Sequence, residues 1–348
     1  MAMKNRQWYK TKQQAGNGLV LAPDDFGYRE DHLPEPGEGQ ILVRNILISS
    51  DPMNHAWAIG MPELWARTLP AGFQRDIPVG APLRAAAVGQ VIRSNHPDFH
   101  EGTLVSGFWE ISDYCVAGEM DMAGMPVRRV PESVSPATAL STLGMPGLCA
   151  FFGLRDIGQP DRGDSVLVSG ASGAIGHVAA QIARSAGARV VGLAGGPERC
   201  RQLGERIEFD DVLDYQGDLA RDLEKVFPNG IDVVFDNVGG PVLDLALLNL
   251  AVGARVVMCG NMTTYQGYDG GLHNTAMLAN RRSIMGGILY FDYAMEIDGA
   301  EADLLKYLRD GKIRELHDVT HGFDSIPGVM TGLHARTGPG KRMIEITD

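Results

Sequence analysis

The sequence predicts an α/β protein with a β-rich first part and a doubly wound parallel sheet after it. Two observations indicate this fold class. Up to about residue 130, short apolar runs are separated by Pro and Gly at the spacing of a barrel or sandwich. From about Ser135 onward, apolar runs of strand length alternate with helical patterns, which is typical of a parallel sheet with helices on both faces.

The first part contains three clear strand patterns, and the end of the chain adds another. Apolar runs predict strands at 40–49, 85–93 and 104–108. After Asp303, an amphipathic helix and a terminal strand at 343–346 are expected to return to the first domain. We therefore predict one domain from residues 1–131 and 304–348 and a second from residues 132–303.

The second part alternates strands and helices in a regular order. Ligands of such sheets bind beyond the carboxyl ends of the strands, so the residues directly after each strand form the candidate site. The predicted strands are 166–169, 190–194, 211–214, 231–236 and 254–259, and the predicted helices are 137–148, 175–186, 198–205, 219–226 and 243–250.

A glycine-rich turn separates the first of these strands from its helix. The turn reads GASGAIG from Gly170 to Gly176, and it places backbone N–H groups and a helix N-terminus where a dinucleotide pyrophosphate can bind. The triplet alone is equally consistent with a turn that binds no ligand, but the flanking strands and helix favour binding. We predict the pyrophosphate loop at Gly173, Ala174, Ile175 and Gly176.

The residues after the second strand indicate which dinucleotide binds. The strand ends in Gly195 and Gly196, where an NAD-specific fold usually offers Asp or Glu to the ribose 2′-hydroxyl, and Arg199 follows. A guanidinium attracts the 2′-phosphate that a carboxylate would repel. The sequence therefore predicts NADP(H).

The composition excludes several classes of function. A formal net charge of −12 gives no basic field for nucleic acid or an anionic membrane surface. No uninterrupted apolar run approaches the ~20 residues of a membrane span, and the first residues lack the apolar core of a signal peptide. We expect a cytoplasmic protein that acts on a small molecule.

Cysteine and histidine spacing gives no prediction of a metal site. The scattered cysteines fit reduced thiols, and without a C-x-x-C pair they predict no zinc site of closely spaced thiolates. His96 and His100 share a loop-like segment; they could join a carboxylate as metal ligands, but we favour surface histidines. The cysteines are Cys115, Cys149, Cys200 and Cys259.

Four motifs, in order along the chain, carry a resemblance to a known family. They are LGMPGLCAFFGL at 143–154, VSGASGAIG at 168–176, FDNVGG at 235–240 and CGNMTTY at 259–265, with HPDF at 96–99 as a weaker match. The chain resembles the zinc-independent medium-chain dehydrogenase/reductases, in the branch of leukotriene B4 dehydrogenase, prostaglandin reductase and curcumin reductase. The resemblance implies a GroES-like β-barrel domain, a Rossmann domain, a cleft between them, NADP(H) and a homodimer.

The resemblance also implies particular cofactor contacts. Arg199 stands where the family has a lysine at the 2′-phosphate, and Tyr215 matches a tyrosine near the same end of the cofactor. Asn237 is expected to contact the cofactor, with a simple turn former as the alternative. The remaining implied contacts are Cys259, Gly260, Ile288, Leu289 and Tyr290, of which the last three also fit a buried strand.

Tyr265 is the predicted catalytic residue. When a double bond conjugated to a carbonyl is reduced, negative charge develops on the carbonyl oxygen as an enolate. A phenol O–H near that oxygen, or near the ribose hydroxyl that donates to it, would stabilise the charge. The alternative is a tyrosine whose ring lies in the cleft wall with its hydroxyl in water.

The chain departs from the family near the expected substrate. Met53 lies in a segment where a tyrosine and an arginine are common, and Phe151 replaces another frequent tyrosine. Gly338 stands where the family has an asparagine that contacts the cofactor. Met53, Phe151 and Tyr265 form the predicted substrate cleft, and the loss of polar groups favours a more apolar or differently shaped substrate.

The sequence therefore predicts an NADPH-dependent reductase that transfers hydride to the β-carbon of an α,β-unsaturated ketone or aldehyde. The nearest alternative is an NADPH:quinone reductase on the same fold. A zinc-dependent alcohol dehydrogenase is disfavoured, because the expected Cys and Gly-His-Glu ligands are absent. An alternative of another class is a non-catalytic NADP-binding redox sensor.

Overall fold

A computed structural model describes residues 4–13, 21–60, 69, 76–333 and 338–346 of the chain. The chain divides into two compact units. The domain limits predicted from the sequence stay a prediction that limited proteolysis can test. The first unit comprises residues 1–140, 317–336 and 342–348, and the second comprises residues 141–316 and 337–341.

The described residues form the following helices and strands. The strands are β1 (Lys4–Lys10), β2 (Phe26–His32), β3 (Ile41–Ser49), β4 (Arg84–Ser94), β5 (Leu104–Glu110), β6 (Tyr114–Ala117), β7 (Arg128–Arg129), β8 (Ser165–Val168), β9 (Arg189–Ala194), β10 (Asp211–Asp214), β11 (Ile231–Asp236), β12 (Leu250–Met258), β13 (Ile284–Gly287), β14 (His317–His321) and β15 (Lys341–Glu345). The α-helices are α1 (Pro52–Ile59), α2 (Pro136–Leu140), α3 (Met145–Gly153), α4 (Gly176–Ser185), α5 (Pro197–Arg206), α6 (Leu219–Val226), α7 (Gly240–Leu248), α8 (Met262–Tyr265), α9 (Ala276–Asn280), α10 (Ile297–Arg309) and α11 (Ile326–Thr331).

The first unit is built on a seven-stranded sheet. Its strand order is β14-β15-β3-β4-β5-β7, with β6 paired to β3, and β1 and β2 form a separate antiparallel pair. β3 pairs antiparallel with β4 from Ile41 to Ile48, with β6 from Ile41 to Arg44 and with β15 from Leu47 to Ser49. Ile41, Leu42 and Val43 at its start are fully buried, because neighbouring strands and core side chains cover both faces of this strand.

The Asp121 carboxylate stabilises a turn of the first unit. It accepts hydrogen bonds from the backbone N–H groups of Phe108 (2.9 Å), Ala123 (2.8 Å) and Met125 (3.0 Å). Burial outweighs these bonds and raises the pKa of Asp121 to about 6. Folding therefore favours the protonated carboxyl of Asp121 relative to the unfolded chain.

We expect Asp121 to make the stability of the first unit depend on pH. A carboxyl whose pKa is raised from 3.8 to about 6 on folding contributes stability that is fully present below 3.8 and is lost as the pH rises through about 6. As the pH rises from 3.8 to about 6, the Tm of wild type should therefore fall relative to the Tm of Asp121→Asn. Thermal unfolding at several pH values measures this difference, and a constant value would contradict the prediction.

The second unit is a doubly wound parallel sheet. All six strands are parallel, in the order β10-β9-β8-β11-β12-β13. Counted from β8, this is the Rossmann order 3-2-1-4-5-6, in which the direction of winding reverses between β8 and β11. Val166–Val168 and Val233–Phe235 are buried as continuous apolar runs, because helices cover both faces of the sheet. The predicted fold class is confirmed.

One predicted helix, at the boundary between the two units, is wrong. The sequence predicts a single helix at 137–148, whereas α2 ends at Leu140 and α3 begins at Met145. Pro146 has no N–H to bond backward and its ring would clash with a preceding carbonyl, so it fits only the first turn of a new helix. The hydroxyls of Ser141 and Thr142, in the break, donate to Glu315 Oε1 (2.8 and 2.7 Å).

The helices of the second unit are of ordinary length. The longest described helix, α10, has 13 residues. Among the helices that the structure describes, none combines the length and the apolar composition needed to cross a membrane.

Candidate functional site

The turn after β8 is shaped to approach an anion. Gly170 adopts φ +58°, in the left-handed region, and its carbonyl accepts from the Gly173 N–H at 2.9 Å. A Cβ atom on Gly176 would lie 2.8 Å from Ala171 Cα, so glycine is required for α4 to begin this close to the turn. The first N–H groups of α4 have no acceptor within the helix and, with the helix dipole, favour a bound anion. All four residues of the predicted pyrophosphate loop lie in this turn or at the start of the helix.

A second segment of the chain, at Gly340, forms a hydrogen bond with the same turn. The Gly340 N–H donates to Ser172 O at 2.8 Å, and the Lys341 N–H donates to Leu316 O at 2.8 Å. Gly340 has φ +102°, and a Cβ atom there would lie 2.6 Å from Leu316 Cβ. Only glycine fits this position, and Gly338, the predicted departure from the family, lies two residues before it.

The residues predicted to bind a 2′-phosphate follow β9 and β10 in the chain. The ring of Tyr215 covers Gly195, because a Cβ atom on Gly195 would lie 2.5 Å from Tyr215 Cζ. Asp214 Oδ1 accepts hydrogen bonds from the backbone N–H groups of Gly196 (2.7 Å) and Gln216 (2.9 Å). The Asp214 carboxylate is thus hydrogen-bonded to the backbone of its own loop and of the loop after β9. Arg199 is half-buried in the first turn of α5.

A hydrogen-bond network joins the loops that follow β8 and β11, where the winding reverses. Ser169 Oγ donates to Asp236 Oδ1 at 2.6 Å, and the Asn237 N–H donates to Ser169 Oγ at 2.9 Å. Asn237 Nδ2 donates to Ser169 O at 2.8 Å. Burial raises the pKa of the Asp236 carboxyl above its ordinary value. Asn237 Oδ1 is buried and has no hydrogen-bond partner in the described part of the chain.

The loop after β12 is bonded to the same network. The N–H groups of Cys259 and Gly260 both donate to Asp236 O, at 2.9 and 3.1 Å. A Cβ atom on Gly260 would lie 2.8 Å from Asn237 O, which explains the glycine. A hydrogen bond with the Cys149 thiol, together with burial, raises the pKa of the Cys259 thiol well above its usual value. Cys259 is therefore a neutral thiol in this loop and not a nucleophile.

Tyr265 ends the short helix α8 in this loop. Burial raises the pKa of Tyr265 to about 12, so its hydroxyl remains protonated at neutral pH. The hydroxyl forms no hydrogen bond with any residue that the structure describes. It is a neutral donor whose acceptor can be supplied by a ligand.

Ile288, Leu289 and Tyr290 follow β13 instead of forming part of it. The strand ends at Gly287, the Ile288 N–H donates to Met258 O at 3.1 Å, and a 3-10 turn begins at Tyr290. The expectation of a buried strand at 288–290 is wrong, since the backbone leaves the sheet one residue earlier. These residues instead lie at the carboxyl end of a strand, where ligand contacts are expected.

The two remaining residues of the predicted substrate cleft lie on helices of different units. Met53 is half-buried in the first turn of α1, whose start is closed by a hydrogen bond from the Asp51 N–H to Asn54 Oδ1 (2.6 Å). Phe151 is half-buried on α3 and packs edge-on against Phe152 with ring centroids 5.6 Å apart. Their role toward a substrate stays a prediction.

Sequence reasoning missed Ser169, Asp236 and Gly340. Ser169 directly follows β8 and Asp236 is the last residue of β11, so both lie at the strand ends that the fold class identifies as candidates. A polar residue at each of these ends is the signal that could have found them. Within the described residues, no group of three or more His, Cys, Asp or Glu side chains is placed to hold a metal ion.

Comparisons with known proteins identify the family of the chain. Residues 174–304 match the family described as zinc-binding dehydrogenase, and residues 6–125 match the N-terminal domain of oxidoreductase. The NADPH-dependent curcumin reductase of Escherichia coli is 32% identical over 99% of this chain and 97% of its own length. The NADP(+)-dependent 2-alkenal reductase of Nicotiana tabacum is 31% identical over 90% of this chain and 89% of its own. The crystal structure of CurA from Vibrio vulnificus in complex with NADPH has a TM-score of 0.85 at 30% identity, with 99% of both chains covered.

The Rossmann order of the sheet, its glycine-rich turn and the β-rich first unit together define a medium-chain dehydrogenase/reductase. The similarity to the curcumin reductase extends along nearly the whole of both chains. The chain belongs to the zinc-independent medium-chain dehydrogenase/reductases, in the branch that contains the curcumin, alkenal and prostaglandin reductases.

Proposed function

We propose that this NADP(H)-dependent oxidoreductase reduces the carbon–carbon double bond of α,β-unsaturated ketones or aldehydes. The observation that carries the proposal is Tyr265, a protonated phenol that has no described hydrogen-bond partner and ends the short helix that follows β12 of the Rossmann sheet. The names of the relatives, a curcumin reductase and a 2-alkenal reductase, support the same reaction class.

The residues present fit NADP(H) at three points. The turn at 170–176 and the N-terminus of α4 suit the pyrophosphate. Arg199 supplies a cation and Tyr215 a phenol donor for the 2′-phosphate, and Asp214, next to Tyr215 in the chain, already accepts hydrogen bonds from two backbone N–H groups. Asn237 Oδ1 is a buried acceptor that still needs a donor, and NADP(H) carries hydroxyl and carboxamide donors. When bound, NADPH supplies the hydride.

The protein residues hold the reactants and stabilise the charge that develops. The substrate β-carbon accepts a hydride, and the electron pair of the double bond moves so that negative charge appears on the carbonyl oxygen. The Tyr265 hydroxyl donates a hydrogen bond to this oxygen, directly or through a ribose hydroxyl, where the charge is greatest. A proton from solvent then completes the α-carbon.

Two of the three residues predicted to contact a substrate, Met53 and Phe151, have apolar side chains. Met53 and Phe151 carry no side-chain hydrogen-bond donor, so among the three residues predicted to contact a substrate only Tyr265 can donate a hydrogen bond. We propose an enone or enal with an apolar substituent as the preferred substrate.

A panel of acceptors tests the reaction. The absorbance of the reduced nicotinamide is followed as NADPH is mixed with alkenals, with enones of increasing apolar size and with quinones. We expect turnover with alkenals and enones and the highest kcat/KM for the apolar ones. Turnover confined to quinones would replace the proposal by a quinone reductase. Tight NADPH binding without turnover on any acceptor would favour a non-catalytic redox sensor.

We also propose that the protein is a cytoplasmic homodimer joined through residues near 276–291. β13 is the terminal strand of the six-stranded sheet, and Ile284 on it is 59% exposed. An exposed edge strand with an apolar side chain is a ready surface for a second copy. Light scattering should give twice the chain mass, and Ile284→Lys should shift the mass toward the monomer. A monomeric wild type would contradict the proposal.

A further inference from the structure

We propose that Ser169 is a positioning residue of the cofactor site, because it holds Asn237 so that Asn237 Oδ1 accepts a hydrogen bond from bound NADP(H). The inference rests on the placement of NADP(H) at this edge of the sheet. It does not depend on which acceptor the enzyme reduces.

Every polar group of Ser169 forms a hydrogen bond with Phe235, Asp236 or Asn237, at the end of β11. Its N–H donates to Phe235 O at 3.0 Å, and its hydroxyl donates to Asp236 Oδ1 at 2.6 Å. The same hydroxyl accepts from the Asn237 N–H at 2.9 Å, and the Ser169 carbonyl accepts from Asn237 Nδ2 at 2.8 Å. Ser169 is only 1% exposed, so water cannot replace these partners.

These bonds fix the orientation of the Asn237 amide. The Ser169 carbonyl can only accept, so the amide must turn Nδ2 toward it and Oδ1 away from it. Oδ1 is then left buried without a described partner, which is an unfavourable arrangement for a polar atom unless a ligand supplies a donor. The ligand group must therefore carry an N–H or O–H, as the carboxamide and the ribose hydroxyls of NADP(H) do.

The Asp236 carboxylate bonds both Ser169 and the loop that follows β11. Its Oδ2 accepts from the Gly239 N–H at 2.8 Å, and its Oδ1 accepts from Ser169 Oγ. Loss of the Ser169 hydroxyl would leave the Asn237 N–H without its acceptor, and Asp236 Oδ1 would keep only the longer bond from the Val238 N–H (3.3 Å). The loop after β11 would relax, and Asn237 would no longer be held in the orientation that a ligand needs.

A double-mutant cycle on NADPH binding tests the inference. Ser169→Ala, Asn237→Ala and the double variant are titrated with NADPH alone, with nucleotide fluorescence as the readout. Each single variant should raise the Kd about tenfold, the effect of one hydrogen bond to a ligand. In the Asn237→Ala background, Ser169→Ala should add less than about twofold, because its effect acts through Asn237.

The matched control is Ser165→Ala, at the amino end of the same strand. The Ser165 side chain is half-buried, and its backbone N–H donates to Asp232 Oδ2 at 2.8 Å, a bond that the substitution keeps. Its Kd for NADPH should equal that of wild type. For Ser169→Ala we expect the KM for NADPH to rise while kcat at saturating NADPH stays within about twofold, a split that general destabilisation would not give.

The outcomes separate this inference from the proposed reaction. If the effects of Ser169→Ala and Asn237→Ala multiply in the double variant, Ser169 has only a structural role and the inference is overturned. If Ser169→Ala does not fold, Asn237→Ala decides, since wild-type NADPH affinity in that variant also overturns it. If wild type binds NADPH and shows the coupling but reduces no enone, the inference stands and the proposed reaction fails.

Discussion

Arg199→Glu should reverse the cofactor preference from NADPH to NADH. The substitution removes a cation that suits the 2′-phosphate and places a carboxylate in the first turn of α5, where it can instead bond a ribose 2′-hydroxyl. Loss of the charged hydrogen bond from Arg199, together with repulsion between the new carboxylate and the 2′-phosphate, should raise the Kd for NADPH about 100-fold or more. Titration with NADPH and NADH in parallel measures the effect.

Arg201→Glu is the matched control for this prediction. Arg201 lies on the same helix, exposed to solvent, and forms ion pairs with Glu198 (2.7 Å) and Glu205 (2.5 Å). The control makes the same change of charge two residues away, so any general effect of net charge on NADPH binding appears in both variants. An Arg199→Glu enzyme that still preferred NADPH as strongly as wild type would show that the 2′-phosphate binds elsewhere.

Tyr265→Phe should lower kcat roughly 100-fold with little change in NADPH affinity, as expected for the loss of one donor to a developing oxyanion. The ring remains and only the hydroxyl is removed, so packing of the loop should be preserved. Steady-state kinetics with a reactive enone and a separate NADPH titration distinguish the two effects. A kcat within a factor of about two of wild type would contradict a catalytic role for this hydroxyl.

Tyr268→Phe offers a control three residues later. The Tyr268 hydroxyl lies 3.5 Å from Gly271 O, a long contact within its own loop, and its loss should leave kcat unchanged. The pH profile gives a second check on Tyr265. Because its pKa is about 12, Tyr265 should stay protonated and cause no loss of kcat between pH 6 and 10, whereas a fall in this range would require another group.

The interior elements of the Rossmann unit could be predicted closely from the sequence. The expected bounds of β10, α6 and β11 coincide with the observed ones, Asp211–Asp214, Leu219–Val226 and Ile231–Asp236. Short apolar runs bounded by charged residues, Gly or Pro define such elements because their burial on the sheet leaves little alternative. β13 gave no comparable signal, since Ile284–Gly287 contains two glycines and forms the edge of the sheet.

The site could be predicted only as far as strand ends identify it. The turn at 170–176, Arg199, Tyr215 and Asn237 all follow strands and were found for that reason. Ser169 and Asp236 were missed because their hydrogen bond joins residues 67 apart in sequence. The predicted fold class makes β8 and β11 neighbours, but it does not show which polar side chains bond between them. The unpartnered state of Asn237 Oδ1 is likewise visible only after the chain has folded.

The hydrogen bond from Gly340 to Ser172 has a consequence for how the protein is made. The turn at 170–176 leaves the ribosome long before residue 340 is synthesised, and at about 5–20 residues per second the delay is roughly 10–30 s. During that interval a nascent chain has its glycine-rich turn but lacks the backbone donor that fastens Ser172. The hydrogen bond between Gly340 and Ser172 therefore forms only after nearly all of the chain has been synthesised.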